Sequence, residues 1–291
     1  MRLVNLPALL AVCIWGSVFP FAKVGLAEFP ALAFTALRPL VAGVLLFAWL
    51  GLRGRSLGVE RGDWPRLLAA GLAGMAVFQF FTFVGLKYTT TTHNVLLYAT
   101  SPLLGAGLLW ALGRRGARPG VQEVAGLALG FIGVALLVLG AGAGADGGEA
   151  TLFGDGLSLI GALGWVGVTL LPGRLVGRYG PLHVSAWLAF VSGAVLLPPA
   201  LGELAAVAAA PPSAVAWLAL LYNAVAGMIV AMALWQLAAH RLGPTATLVY
   251  VYLEPLVAVA LAVLFLGDRL GPLQAVGALA LLAGVGLVQR S

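Results

Sequence analysis

The chain has 291 residues, of which 62% are hydrophobic and 9% are charged, and its mean hydropathy is +1.05. A soluble domain carries about a quarter charged residues, so this composition excludes a water-soluble globule. The net charge of +6 comes from basic residues scattered over short loops, whereas nucleic-acid binding needs them gathered on one face, so no nucleic-acid partner is expected. The single cysteine and the lack of a Cys/His cluster predict no disulfide, no metal and no cofactor.

Apolar runs bounded by charge, proline or glycine clusters predict ten membrane-spanning helices, because each span needs about 20 apolar residues. In chain order the runs cover 3–21, 31–50, 67–86, 93–112, 121–140, 156–175, 182–201, 214–237, 245–266 and 272–289. The first run resembles a signal peptide, but Val12 is too bulky to precede a cleavage site, and the run continues to Phe21. It is therefore the first span of an all-α integral membrane protein.

The distribution of basic residues predicts the orientation, because Lys and Arg in short loops stay in the cytoplasm. With the N-terminus inside, the inner segments hold twelve of the sixteen basic residues and the outer segments hold three, while Arg38 lies within the second span. The outer three are Lys23, Lys87 and Arg269. This bias predicts a multi-pass protein of the bacterial inner membrane with both termini cytoplasmic.

A glycine-rich linker at 141–152 divides the chain into two sets of five spans, 1–140 and 153–291. An odd number of crossings in each half forces the two halves into opposite orientations. Inverted repeats of this kind are an architecture of secondary transporters, which hold their substrate near mid-membrane between the halves. The pattern predicts two inverted five-helix repeats and transport by alternating access.

Two prolines mark corresponding positions in the halves. An offset of 153 residues places Pro102 on Pro255, each in the middle of an apolar run, and an offset of 150 places Trp15 on Trp165. Interrupted helices at matching positions are the pattern expected beside a transporter's binding site. We therefore predict helix interruptions at Pro102 and Pro255. A duplication that only made a stable bundle is the plainer interpretation.

Two charged residues lie inside predicted spans. Glu254 is about 13 Å from either end of the ninth span at ~1.5 Å per residue, where a carboxylate is costly and normally serves a function. It is either a substrate contact or proton carrier, or one member of an ion pair with Arg38 that gates or fixes two helices. Arg38 could instead bind a substrate carboxylate, because a guanidinium grips that group with two hydrogen bonds.

Aromatic and amide side chains within the spans predict a cavity with aromatic walls and few polar contacts. The residues expected to line it, together with Glu254, are Trp15, Gln79, Asn94, Tyr98, Trp165 and Tyr252. Such a cavity suits a small amphipathic molecule. Trp and Tyr near span ends form interfacial belts instead, and we assign Trp64, Trp110, Trp217, Tyr222 and Trp235 to them.

Several segments resemble the EamA-type members of the drug/metabolite transporter superfamily over essentially the full chain. They are Ile14-Trp15-Gly16-Ser17-Val18-Phe19, Arg38, Ala238-Ala239-His240-Arg241-Leu242-Gly243-Pro244-Thr245-Ala246, Tyr252-Leu253-Glu254-Pro255-Leu256 and Gly267-Asp268-Arg269-Leu270. The resemblance implies a ten-helix exporter of small metabolites, with the bacterial aromatic amino-acid exporters as the nearest branch. Asp268 departs from the family's usual glutamate after that glycine.

Other classes of function fit the sequence less well. No Walker A loop is present, which argues against an ATP-driven pump, and no HExxH or GxSxG motif supports an intramembrane enzyme. A channel would need a continuous polar pore. The sequence thus predicts a non-enzymatic exporter of amino acids or similar metabolites. The alternatives are a multidrug or nucleoside exporter of the same fold. Protons are a candidate coupling ion, and a monomer or weak dimer in the lipid bilayer is expected.

Overall fold

The computed structural model describes residues 5–113, 120–140, 152–261 and 271–289, which are helical and contain no β-strand. In the first half the α-helices are α1 (Leu6–Leu26), α2 (Ala31–Leu52), α3 (Trp64–Ala69), α4 (Val77–Tyr88), α5 (Thr91–Tyr98), α6 (Ser101–Ala111) and α7 (Val121–Gly140). A 3₁₀ turn at Arg61–Asp63 precedes α3, and a π-helical segment at Ala70–Ala76 joins α3 to α4. Apart from Leu152, the predicted linker at 141–152 lies outside the described residues.

The second half has a related order of elements, with one additional short helix and a 3₁₀ turn at a different place. Its α-helices are α8 (Leu152–Leu170), α9 (Gly173–Tyr179), α10 (Pro181–Ala209), α11 (Ala214–Tyr222), α12 (Met232–Leu242), α13 (Pro244–Leu248), α14 (Leu253–Leu261) and α15 (Pro272–Val288). A π-helical segment at Asn223–Ala231 joins α11 to α12, and a 3₁₀ turn at Val249–Tyr252 joins α13 to α14. The two π-helical segments begin 153 residues apart, at the offset that relates Pro102 to Pro255.

Seven of the described helical stretches are long and apolar enough to cross a membrane. They are Ala31–Leu52, Arg61–Thr82, His93–Ala111, Val121–Gly140, Leu152–Tyr179, Pro181–Ala209 and Ala214–Leu242. Shorter apolar helices lie at Leu6–Val18 and Pro272–Val288. All seven overlap predicted spans. The structure thus confirms an all-α chain with several helices that could cross a membrane.

Helices of one half pack against helices of the other, and they run antiparallel. Helix α2 packs on α10, where a Cβ added to Gly43 would lie 2.7 Å from the backbone nitrogen of Phe190. The reciprocal contact is made by Gly193, whose added Cβ would lie 2.5 Å from the nitrogen of Leu40. Because residue numbers rise along one helix as they fall along the other, corresponding helices point in opposite directions.

The same geometry recurs between α7 and α15. A Cβ on Gly284 would lie 2.3 Å from the nitrogen of Gly130, and one on Gly133 would lie 2.4 Å from the nitrogen of Leu281. Small residues at such contacts let helices approach within van der Waals distance of each other's backbone, which is a main source of helix association in lipid. These glycine contacts therefore hold the two halves together.

Candidate functional site

Five aromatic side chains from both halves meet in the middle of the bundle, and we call them the central aromatic cluster. Its members are Trp15 on α1, Phe78 on α4, Tyr98 on α5, Trp165 on α8 and Trp235 on α12. The three indole rings contact one another with centroids 5.1 to 5.3 Å apart. The Phe78 ring lies 4.8 Å from that of Trp165, and the Tyr98 ring 6.0 Å from it. These rings close the centre by direct contact.

The three indoles differ in how their N–H groups are used. Trp15 donates to the carbonyl of Gly227 at 3.1 Å, and Trp235 donates to the hydroxyl of Thr169 at 3.0 Å. The N–H of Trp165 is buried and has no hydrogen-bond partner among the described residues. A buried donor without an acceptor costs about 1–3 kcal/mol. The cluster therefore offers one unused donor to a ligand.

Glu254 supplies a carboxylate at the edge of the cluster. It lies in the first turn of α14, directly after the 3₁₀ turn, and its side chain is buried. The hydroxyl of Tyr98 donates to its Oε1 at 3.5 Å, the outer limit of a hydrogen bond. Among the residues that the structure describes, it forms no ion pair. An intramembrane carboxylate held so loosely is suited to bind a solute or a proton.

Arg38 and Glu254 have different hydrogen-bond partners. In the part of the chain that the structure describes, they do not form the ion pair with each other that the sequence left open. The Nη2 of Arg38 donates to Oε1 of Gln79 at 2.6 Å, and the Arg38 guanidinium lies 5.9 Å from the Phe34 ring centroid. The Nε2 of Gln79 in turn lies 3.9 Å from the sulfur of Met228 on the other half. The reason is positional: Gln79 on α4 lies beside Arg38, whereas Glu254 lies beside Tyr98.

Two further candidate residues make contacts of a structural kind. Asn94 donates to the hydroxyl of Ser158 at 2.9 Å and to the carbonyl of Thr82 at 3.1 Å, which joins the halves away from the aromatic rings. Tyr252 donates to the carbonyl of Leu127 at 3.1 Å and is fully buried. The structure thus brings Trp15, Tyr98, Trp165 and Glu254 together, and it places Gln79, Asn94 and Tyr252 in separate interactions.

The helix interruptions lie where the prolines predict them. Helix α5 ends at Tyr98 and α6 begins at Ser101, with Pro102 in its first turn. In the second half α13 ends at Leu248 and α14 begins at Leu253, with Pro255 in its first turn. Proline fits the start of a helix because the first amide has no acceptor there. Each interruption places a member of the site, Tyr98 or Glu254, at a helix end.

One end of the bundle carries a polar network, which we call the Asp155 latch and define as Thr89, His93, Asn94, Asp155 and Ser158. Nδ1 of His93 lies 3.1 Å from the Asp155 carboxylate, to which Thr89 also donates. Asn94 donates to Ser158 one turn further along. Each of these bonds joins α5, or Thr89 just before it, to α8, so the network links the two halves.

The other end carries seven arginines of the described residues, which are Arg53, Arg55, Arg61, Arg66, Arg174, Arg178 and Arg241, and we call it the arginine end. A cavity of about 420 Å³ lies there, lined by residues that include Arg66, Arg174, His240 and Thr169. Thr169 is also the acceptor for the Trp235 indole. Thr169 therefore lies between this cavity and the central aromatic cluster. The opposite end of α8 carries Asp155 and Ser158 of the latch.

Trp235 corrects one expectation from the sequence. It was expected in an interfacial belt, but its side chain is fully buried and contacts both Trp15 and Trp165. The predicted eighth span stops at 237, whereas α12 continues to Leu242, so Trp235 lies about two turns from the helix end. Trp110 and Trp217 are exposed as an interfacial belt requires, at 59% and 40%.

Comparison with known proteins identifies the fold family. The model of the EamA-like transporter family matches residues 3–139 and 152–290. A protein named as an uncharacterized transporter from Archaeoglobus fulgidus is 32% identical over 279 residues, which cover 95% of this chain and 93% of that one. A probable terminal-alkyne amino-acid exporter from Streptantibioticus cattleyicolor is 28% identical over 285 residues, 97% of this chain and 91% of its own.

Two more similarities extend the comparison. The inner membrane transporter YedA of Escherichia coli, itself named as uncharacterized, is 28% identical over 269 residues, 90% of this chain and 82% of its own. A solved crystal structure with 22% identity superposes with a TM-score of 0.78 and covers 98% of this chain and 97% of that one. At that identity the likeness concerns the fold alone.

Proposed function

Since the chain belongs to the EamA-like transporter family, we propose that it is an inner-membrane secondary carrier that exports amino acids or similar small amphipathic metabolites by alternating access. The proposal includes ten spans in two inverted five-helix repeats, 1–140 and 153–291, joined by a linker at 141–152. The antiparallel packing of α2 on α10 and of α7 on α15 supports this arrangement. The positive-inside rule assigns the arginine end to the cytoplasm.

The observation that supports the proposal most directly is the position of the central aromatic cluster, between the end that carries the Asp155 latch and the arginine end with its cavity. Alternating access needs a central site that both halves share and a barrier that forms on one side at a time. The cluster takes residues from both halves, the Asp155 latch bonds the halves to each other on one side, and the cavity at Thr169 lies on the other. This arrangement corresponds to a carrier that is open toward the cytoplasm.

The chemistry of the cluster favours an amphipathic solute with an amine. Aromatic faces attract cations at roughly 0.5–2 kcal/mol per contact. The Glu254 carboxylate, 3.5 Å from the Tyr98 hydroxyl, would attract the same amine. The unused Trp165 N–H is available to an acceptor such as a carboxylate. The name of the Streptantibioticus relative, an amino-acid exporter, agrees with such a solute. Glu254 is also the candidate proton carrier.

The proposal is tested by counterflow in proteoliposomes. The purified chain is reconstituted, the vesicles are loaded with an unlabelled amino acid, nucleoside or cationic drug, and uptake of the labelled compound is followed with and without a pH gradient. We expect saturable counterflow for at least one amino acid, with protein-free vesicles as the control. Counterflow of drugs or nucleosides alone would change the proposed substrate class from amino acids to those compounds. The absence of counterflow with every compound would refute the proposal that the protein is a carrier.

A further inference from the structure

We propose that a second cavity at the arginine end, between the end of α2 and the start of α10, binds the phosphate headgroup of an anionic phospholipid. This cavity has a volume of about 650 Å³ and is lined by residues of α2, α9 and α10 and of the loop between α2 and α3. None of its lining residues belongs to the central aromatic cluster or to the Asp155 latch. It is a separate feature from the transport path.

The polar groups of this α2–α10 cavity suit a phosphate. Helix α10 has 29 residues and begins at Pro181, and the unpaired first-turn N–H groups of Leu182 and His183 carry the positive end of the helix dipole. Arg55 and His183 both line the cavity. His183 is only 7% exposed, and its Nε2 has no hydrogen-bond partner among the described residues. A ligand that bonds His183 would satisfy this buried atom.

The two acidic groups beside the cavity, of which Glu60 lines it, share the guanidinium of Arg178. Nη1 of Arg178 donates to Asp63 at 2.9 Å, and the hydroxyl of Tyr179 donates to the same carboxylate at 2.8 Å. Glu60 pairs with the other terminal nitrogen of Arg178. The segments 53–66 and 174–178 together hold six arginines against these two acids, so the charge of Arg55 remains to attract an anion.

An apolar surface continues from the cavity and identifies the ligand as a lipid. Trp49 lines the cavity and is 43% exposed. Leu45 and Leu52, at 39% and 89% exposure, lie four residues before it and three after it on the same face of α2. A soluble phosphate would not contact these three apolar side chains, whereas the acyl chain of a lipid would cover them. Basic pockets between helices on the cytoplasmic side are typical of anionic lipid sites.

Native mass spectrometry of the purified full chain in detergent tests the proposal. Phosphatidylglycerol and phosphatidylcholine with identical acyl chains are titrated, and the affinity of the first bound lipid is measured for each. We expect tighter binding of phosphatidylglycerol, and a loss of roughly fivefold for Arg55→Gln. The matched control is Arg61→Gln, which removes the same charge from the same loop outside the cavity and is expected to cost less than twofold.

Three results would overturn the lipid assignment. Equal affinity for the two lipids would show that the cavity does not select an anionic headgroup. Equal losses of lipid affinity in Arg55→Gln and Arg61→Gln would show that the lipid does not bind in this cavity. Displacement of bound phosphatidylglycerol by an equal concentration of free sn-glycerol 1-phosphate would keep the phosphate chemistry but assign it to a soluble ester. Binding of the lipid that resists this competitor and depends on Arg55 supports the proposal.

Discussion

Replacing Gly284 with alanine tests the antiparallel contact between α7 and α15. The added methyl group would lie 2.3 Å from the nitrogen of Gly130 and 2.6 Å from the carbonyl oxygen of Gly126, where ordinary contact begins at 3.4 Å. Both obstructing atoms belong to the backbone and cannot rotate away. The helices must therefore separate locally by about 1 Å, and overpacking of this kind costs roughly 1–3 kcal/mol.

The matched control is Gly286→Ala, two residues further along α15, where an added Cβ meets nothing within 4 Å. Thermal unfolding in detergent, followed by tryptophan fluorescence, compares the two variants with wild type. We expect Gly284→Ala to lower Tm by roughly 2–12 °C, at about 2–4 °C per kcal/mol, and Gly286→Ala to leave it unchanged or slightly higher. Equal Tm values for the two variants would refute the packing of α15 against Gly130.

Two further predictions concern the end of the bundle opposite the arginine end. Asp155→Asn removes the charge that faces His93. Because both side chains are partly exposed, the ion pair is weak, and we expect the rate of amide hydrogen exchange at 89–94 and 152–158 to rise by up to about fivefold. Exchange rates equal to wild type would contradict the latch. The pKa of Glu28 is lowered because the Ser213 backbone N–H and hydroxyl both donate to it, so this carboxylate stabilises the fold above its ordinary pKa of 4.5 and loses that effect as pH falls. Glu28→Gln should therefore show a smaller loss of Tm than wild type between pH 6 and pH 4, and equal slopes would exclude the contribution.

Much of the architecture follows from hydropathy because a membrane helix must be apolar along its whole length. The seven long helices coincide with predicted apolar runs, and both prolines lie at interrupted helices. Gly133 and Gly284 belong to glycine-spaced helices that could be predicted to pack closely. The offset of 153 residues also relates the two π-helical segments, although nothing in the sequence marked them as π-helical.

The contacts inside the site were less accessible to sequence reasoning. Helical periodicity shows which residues share a face of one helix, but it does not show which face of another helix they meet. The hydrogen bond between Arg38 and Gln79 joins residues 41 positions apart, and the contact of His93 with Asp155 joins residues 62 apart. Trp235 was misplaced because the prediction ended its helix five residues early.

The central claim is that solutes cross the membrane through the central aromatic cluster and past Glu254. Counterflow in proteoliposomes, normalised to the amount of folded protein, is measured for Glu254→Gln and Trp165→Ala. Their controls are Glu123→Gln, at the start of α7, and Trp110→Ala, whose side chain is 59% exposed. The account predicts about a tenfold or greater loss of flux in the first pair, from lost interactions of ~1.5–3 kcal/mol, and near-normal flux in the controls. Undiminished flux in both central variants would contradict it.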